Sequence, residues 1–70
     1  MIENEKKISN NLKQYRKAEK LSQQDLADQV GVTRQSILLI EKDKFNPSIL
    51  LALKIANALG VDVNDLFFLE

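Results

Sequence analysis

Residues 23–42 read QQDLADQVGVTRQSILLIEK, and their spacing decides the fold. Ala27 stands four residues before Gly31, and Gly31 six before Ile37. Two helices that cross steeply after a turn of three or four residues approach closely, so a small residue belongs at the crossing, and Ala27 supplies it. The chain must then reverse through a positive φ, which glycine adopts without a Cβ penalty. Thr33 offers a hydroxyl to cap the second helix. Ser22, just upstream, caps the first, and Asp25 completes a capping box in place of the usual Glu. Leu26 and Val30 make one inward stripe, Ile37 and Ile40 the other, and Val32 plugs the corner. The pattern predicts a helix-turn-helix over residues 23–42. The face of the second helix left over from packing carries Arg34, Gln35, Ser36 and Leu39. Two ordinary packed helices that bind nothing are the alternative reading.

A helix-turn-helix usually presents its second helix to the major groove of DNA. Charge distribution is compatible with that use. Ten Lys and Arg balance ten Asp and Glu, so the net charge is zero, unlike most nucleic-acid binders. Residues 6–20, however, carry Lys6, Lys7, Lys13, Arg16, Lys17 and Lys20 against Glu19 alone, while residues 60–70 carry Asp62, Asp65 and Glu70. A chain polarised in this way offers a positive face to phosphate and stays neutral overall. Most of these lysines, taken singly, need do no more than solvate the outer face of the first helix.

Seventy residues make one domain, 1–70, with a small core. There is no Cys and no His, which removes disulfides, thiolate metal sites and the commonest general base. Without a glycine-rich phosphate loop or clustered carboxylates either, no enzyme, metal or cofactor is expected. The charged N-terminus is no signal peptide, and the longest apolar run, Ile49–Leu53, is too short to span a membrane. A cytoplasmic protein with no membrane association and no small-molecule ligand is expected.

Along the chain, residues 1–7 are expected to be frayed or extended. Helix one is expected from Ser9 or Asn10 to Glu19, with Ile8, Leu12 and Tyr15 inward. Leu21 acts as a hydrophobic staple before helix two, Gln23–Val30, and helix three runs Arg34–Lys42. In the loop Asp43–Pro47, Phe45 is expected to plug into the core. Ser48 caps helix four, Ile49–Leu59, which Gly60 ends, and Asp62 opens helix five, Val63–Phe67. The expected core is Leu12, Tyr15, Leu26, Ala27, Val30, Val32, Ile37, Ile40, Phe45, Ile49, Ala52, Leu53, Ile55, Ala56, Leu59, Val61, Leu66 and Phe67. Arg16 and Glu41 are candidates for an ion pair between helices one and three.

The stretch Asn11–Phe67 resembles the small stand-alone regulators of the lambda-repressor-like, Cro-type helix-turn-helix family, often called the XRE family. The matching motifs are LSQQDLADQVGVTRQSI (21–37), IEKDKFNPS (40–48) and LALKIANALGVDVNDLF (51–67). The resemblance implies an all-α, five-helix DNA-binding domain acting as a transcriptional regulator. It also implies a homodimer on a palindromic double-stranded operator. Thr33, Arg34 and Gln35 match positions that contact bases, Arg34 suiting guanine and Gln35 adenine. Ser22, Gln23 and Ser36 fall at phosphate contacts, with Gln23 helped by the helix N-terminus. Lys44 and Asn46 match the family's clamp on the DNA backbone. Arg16 and Glu41 match its internal ion pair.

The sequence also departs from that pattern. Leu38 and Leu39 follow the buried Ile37 where polar residues are usual, and Leu39 shares the face of Gln35. It can pack on a thymine methyl or serve a protein contact. Asp43 replaces a frequent Gly or Asn and brings a negative charge near phosphate. Leu50 stands where Glu is common. Two readings remain open for the C-terminal end. Leu66, Phe68 and Leu69 form a dimer interface, or the tail folds back over Ile8 as a short strand pair; both hold if the pair lies beside the dimer seam. The surplus apolar residues keep a second function open, a protein-interaction module of the same fold that does not read DNA.

Overall fold

Ser22, Thr33, Ser48 and Asp62 each turn a side-chain oxygen onto the first turn of the helix that follows, and these caps fix where four helices begin. The computed structural model describes residues 7–70; the expectation for residues 1–6 lies outside them. The elements are β1 (Ile8–Asn10), α1 (Leu12–Ala18), α2 (Gln23–Val30), α3 (Arg34–Glu41), α4 (Ile49–Leu59), α5 (Val63–Leu66) and β2 (Phe67–Leu69). Ser22 Oγ accepts from Asp25 N at 2.9 Å while the Asp25 carboxylate accepts from Ser22 N at 2.9 Å, a complete capping box. Thr33 Oγ1 accepts from Ser36 N at 3.3 Å, and Ser48 Oγ from Leu51 N at 3.1 Å. The five-helix architecture is the expected one, and of the readings left open for the C-terminal end the short strand pair is present.

The strand pair corrects the expected ends of helices one and five. β1 and β2 run antiparallel, with Ile8 opposite Leu69, Ser9 opposite Phe68 and Asn10 opposite Phe67. Glu70 N donates to Lys7 O at one end, and Asn11 N to Leu66 O at the other, both at 2.9 Å. Helix one therefore starts at Leu12 instead of Ser9 or Asn10: the N–H of Asn11 is committed to Leu66, and Asn10 Oδ1 takes the N–H of Leu12 at 3.0 Å. Phe67 is extended, with φ −122° and ψ 132°, and so opens β2 rather than closing helix five.

One core lies among the helices. Leu12, Leu26, Ala27, Ile37, Ile55 and Leu66 are wholly buried, with Val30, Ile40, Ala56 and Leu59 nearly so. Tyr15, Val32, Val61 and Phe67 pack half-buried against it. Phe45, Ile49 and Leu53 do not join the core, contrary to expectation: they are 45%, 80% and 51% exposed. Helix α4 is apolar on nearly every side, so periodicity could not choose its face. Its inward stripe is Ile55, Ala56 and Leu59, with Leu51 and Ala58 packed half-buried beside it; Ala52, also expected in the core, is only half-buried and is not part of it. Ile8 is likewise exposed on β1 rather than facing inward from a helix.

Four helix ends share one geometry. Lys20 (φ 59°), Gly31 (φ 78°), Asp43 (φ 59°) and Gly60 (φ 70°) are left-handed. After each, the following N–H reaches back to the helix: Leu21 to Arg16 O, Val32 to Ala27 O, Lys44 to Leu39 O and Val61 to Ala56 O. These are Schellman-type closures. The sequence marks Gly31 and Gly60 plainly, and Asp43 as tolerant of the conformation. It gives no sign at Lys20, where an ordinary side chain meets a cost of roughly 1–2 kcal/mol.

Candidate nucleic-acid interface

Helix α3 has two faces with different fates. Ile37 is wholly buried and Ile40 is 1% exposed, which fixes the helix against the core. Arg34 and Gln35, in its first turn, are exposed, and neither side chain bonds to another described residue. No other described residue engages these groups, a guanidinium fork and a carboxamide, the two kinds that read guanine and adenine edges. Thr33 is exposed beside them, Ser36 half-buried, and Thr33 Oγ1 and Ser36 Oγ lie 3.2 Å apart. Leu38 and Leu39 are both half-buried, so each still offers apolar surface at the edge of this face.

The orientation of α3 depends on a buried charge cluster. Arg16 is 6% exposed. Its Nε donates to Glu41 Oε2 at 2.6 Å, its Nη2 to Glu41 Oε1 at 3.2 Å and its Nη1 to Leu21 O at 2.7 Å. The expected ion pair is thus bidentate and spans helices α1 and α3, with the Glu41 side chain only 4% exposed. Gln23 joins it, its Nε2 donating to Glu41 Oε1 at 3.1 Å. The carboxamide that the resemblance lays on phosphate is therefore committed inside the protein. What α2 offers outward at this point is the N–H groups of Gln23 and Gln24, since that of Asp25 is taken by Ser22 Oγ. Sequence reading does not find the Gln23 bond; helical position alone gives no sign of a partner eighteen residues away.

Lys44 and Asn46 lie in the loop after α3, Lys44 exposed, and Ser22 stands at the start of α2. The loop is not anchored by Phe45. It is anchored by Asn10, which sequence reading misses altogether, because a polar residue near a chain end looks like any solvated one. Asn10 Nδ2 donates to Ile40 O at 2.9 Å and to Asp43 Oδ1 at 3.0 Å. Hydrogen bonds from the Ser22 N–H, chiefly, and the Ser22 hydroxyl hold the Asp25 carboxyl below the usual 3.8.

The C-terminal residues divide. Phe68 and Leu69 are 40% and 63% exposed and available to a partner. Leu66 has no accessible surface, so the expectation that it touches a second copy is corrected: it is a core residue. Among the described residues no helix is long and apolar enough to cross a membrane, and no group of Asp and Glu is placed to hold a metal ion.

Fold and exposed helix face together define a helix-turn-helix module of the DNA-binding kind. Residues 12–66 match the helix-turn-helix family model, and the chain belongs to that family, in its XRE-type branch of transcriptional regulators. It is 49% identical over 63 residues to an uncharacterised HTH-type transcriptional regulator of Methanocaldococcus jannaschii, spanning 90% of this chain and 96% of the relative. It is 35% identical over 57 residues to the immunity repressor protein of Bacillus phage phi105, spanning 81% of this chain and 40% of the repressor. The crystal structure of the restriction-modification controller protein C.AhdI from Aeromonas hydrophila superposes with a TM-score of 0.73 at 33% identity, over 77% of this chain and 82% of that one.

Proposed function

We propose that the chain is a single-domain cytoplasmic repressor that binds a palindromic double-stranded operator as a homodimer, with α3 in the major groove. The observation that carries this reading is the first turn of α3. Arg34 and Gln35 are exposed, and no other described residue bonds to their side chains, on a helix whose opposite face is locked into the core. Thr33 and Leu39 flank them as further base contacts. Ser22, Ser36, Lys44, Asn46 and the N–H groups at the start of α2 take phosphates; Gln23 contributes through its backbone. Phosphate contacts supply most of the affinity and its salt dependence. One recognition helix reads only a few base pairs, and a two-fold dimer doubles the site. Phe68 and Leu69 supply the apolar surface for it. The repressor sense draws on the likeness to the phage immunity repressor.

The test starts with selection from a random duplex pool, alongside DNA from upstream of the protein's own gene, followed by fluorescence anisotropy across a salt series. Arg34→Ala is expected to relax preference at one base pair by about 1–3 kcal/mol. Lys44→Ala is expected to weaken binding to all sequences alike and to lower the salt slope by about 1. An Arg34→Ala protein with unaltered preference refutes the base readout.

The exposed Ile49, Leu50 and Leu53 on α4 favour the second reading, a protein-interaction module. Absence of binding to any duplex at low salt, together with capture of one protein partner, selects it.

A further inference from the structure

Asn10 lies on β1, outside every element that the proposed DNA contacts use, yet its carboxamide makes three hydrogen bonds. Oδ1 accepts from Leu12 N at 3.0 Å and caps α1. Nδ2 donates to Ile40 O at 2.9 Å and to Asp43 Oδ1 at 3.0 Å. Both acceptors belong to the turn that ends α3. The carbonyl of Ile40 also takes the N–H of Asp43, and Lys44 N then closes onto Leu39 O at 2.8 Å. The direction in which Lys44 and Asn46 leave the helix is set at Asp43, a residue with a side chain in the left-handed region. A depression lined by Lys7, Ile8, Asp43, Asn46 and Leu69 brings the strand pair alongside the same loop.

We infer that Asn10 is a positioning residue for the phosphate clamp, an inference that rests on the DNA-binding reading above. It acts in two ways. It holds Asp43 in the turn that aims Lys44 and Asn46 outward. It also draws the Asp43 carboxylate toward β1, so that the negative charge faces the protein's own amide rather than a phosphate. Because β1 is held in register by Phe67 and its neighbours on β2, the terminal strand pair becomes part of the binding apparatus.

Asn10→Ser tests this. Serine keeps an oxygen to cap Leu12 and the charge is unchanged, but the side chain is too short to reach Ile40 or Asp43. Binding to random-sequence duplex is read by anisotropy at several salt concentrations, with folding checked by circular dichroism. If Asn10 acts through one phosphate contact, the salt slope falls by about 0.9, and the wild-type to variant affinity ratio shrinks about three- to fourfold between about 50 and 200 mM salt. In a Lys44→Ala background Asn10→Ser is expected to have a smaller effect, because only Asn46 and the Asp43 charge remain for it to act through. Asp43→Gly gives a second background, in which glycine holds the turn unaided and supports folding; there Asn10→Ser is expected to change binding by less than about twofold. An affinity loss that is independent of salt, or one undiminished in either background, overturns the inference. If Lys44→Ala itself leaves the salt slope unchanged, the clamp reading fails and the inference falls with it. If Lys44→Ala lowers the slope and Asn10→Ser does not, the inference alone fails.

Discussion

Replacing Glu41 by alanine removes the carboxylate that faces the Arg16 guanidinium and leaves a charge in a site where that side chain is 7% exposed. Breaking a buried ion pair by deleting one partner costs about 3–5 kcal/mol, because the remaining charge stays desolvated. Arg16 keeps its bond to Leu21 O, which sets the cost toward the lower end. Gln23 loses its acceptor, about 0.5–1.5 kcal/mol, partly recovered by water since Gln23 is only half-buried. A chain of 70 residues has a total stability of roughly 3.5–10 kcal/mol. The variant is therefore expected to lose at least about 3 kcal/mol and to melt more than about 12 °C lower, close to the limit of folding.

The assay is urea unfolding followed by far-UV circular dichroism, run beside the double variant Arg16→Met with Glu41→Leu. In the double variant no charge is buried, and replacing a buried ion pair by apolar residues of similar volume ranges from neutral to about 4 kcal/mol stabilising. A single variant that loses less than about 1 kcal/mol behaves like a surface pair and refutes the reasoning. A double variant as unstable as the single one also refutes it, since the cost then lies in the lost pair itself and not in the orphaned charge.

Other expectations are simpler. Lys20→Gly removes a left-handed penalty of about 1–2 kcal/mol and adds about 0.5–1 kcal/mol of glycine entropy, so it is expected to stabilise by up to about 1.5 kcal/mol; a lower urea midpoint counts against the strain at Lys20. The Asp25 carboxyl is held below its usual value by Ser22, so its contribution is present above the unfolded pKa and is lost as pH falls through the lower folded one. Asp25→Asn is accordingly expected to flatten the fall in stability below about pH 4, and an identical pH profile in both proteins contradicts this. The pair Phe68→Ser and Leu69→Ser is expected to give a monomer by light scattering where the parent is a dimer, and an unchanged mass removes that interface.

The parts of this fold legible in the sequence are those whose cause is local. Ser22 with Asp25, Thr33 and Ser48 cap helices within three residues of themselves, and Gly31 and Gly60 mark turns by their own backbone freedom. Arg34 and Gln35 are legible as a free face because Ile37 and Ile40 account for the other side of the helix. What escapes depends on distant partners. Asn10 meets Asp43 across 33 positions of chain, and Gln23 meets Glu41 across 18. Helix α4 escapes for the opposite reason: Ile49 and Leu53 are as apolar as Ile55, and only the position of the core decides which are covered. Two charges 25 residues apart, as Arg16 and Glu41 are, are legible in the sequence as a candidate pair between helices one and three, and the family resemblance points to the same two residues.

The four left-handed helix ends connect these two kinds of residue. Where glycine makes the turn, at Gly31 and Gly60, no side chain among the described residues bonds to the turn's left-handed residue or the one after it. Where a residue with a side chain makes it, another part of the chain supplies a donor. Arg16 Nη1 donates to the carbonyl of Leu21, next to Lys20. Asn10 Nδ2 donates to the carboxylate of Asp43 and to the carbonyl of Ile40 before it. Strain at a left-handed residue persists only if surrounding contacts over-determine it, and both donors provide such contacts. They also couple each turn to something else. The Lys20 turn shares Arg16 with the Glu41 cluster that orients α3, and the Asp43 turn shares Asn10 with the terminal strand pair. A glycine at either place would make the turn independent. With Lys and Asp there, the two ends of the recognition apparatus, the setting of α3 and the loop that follows it, are each tied to the N-terminal segment of the protein.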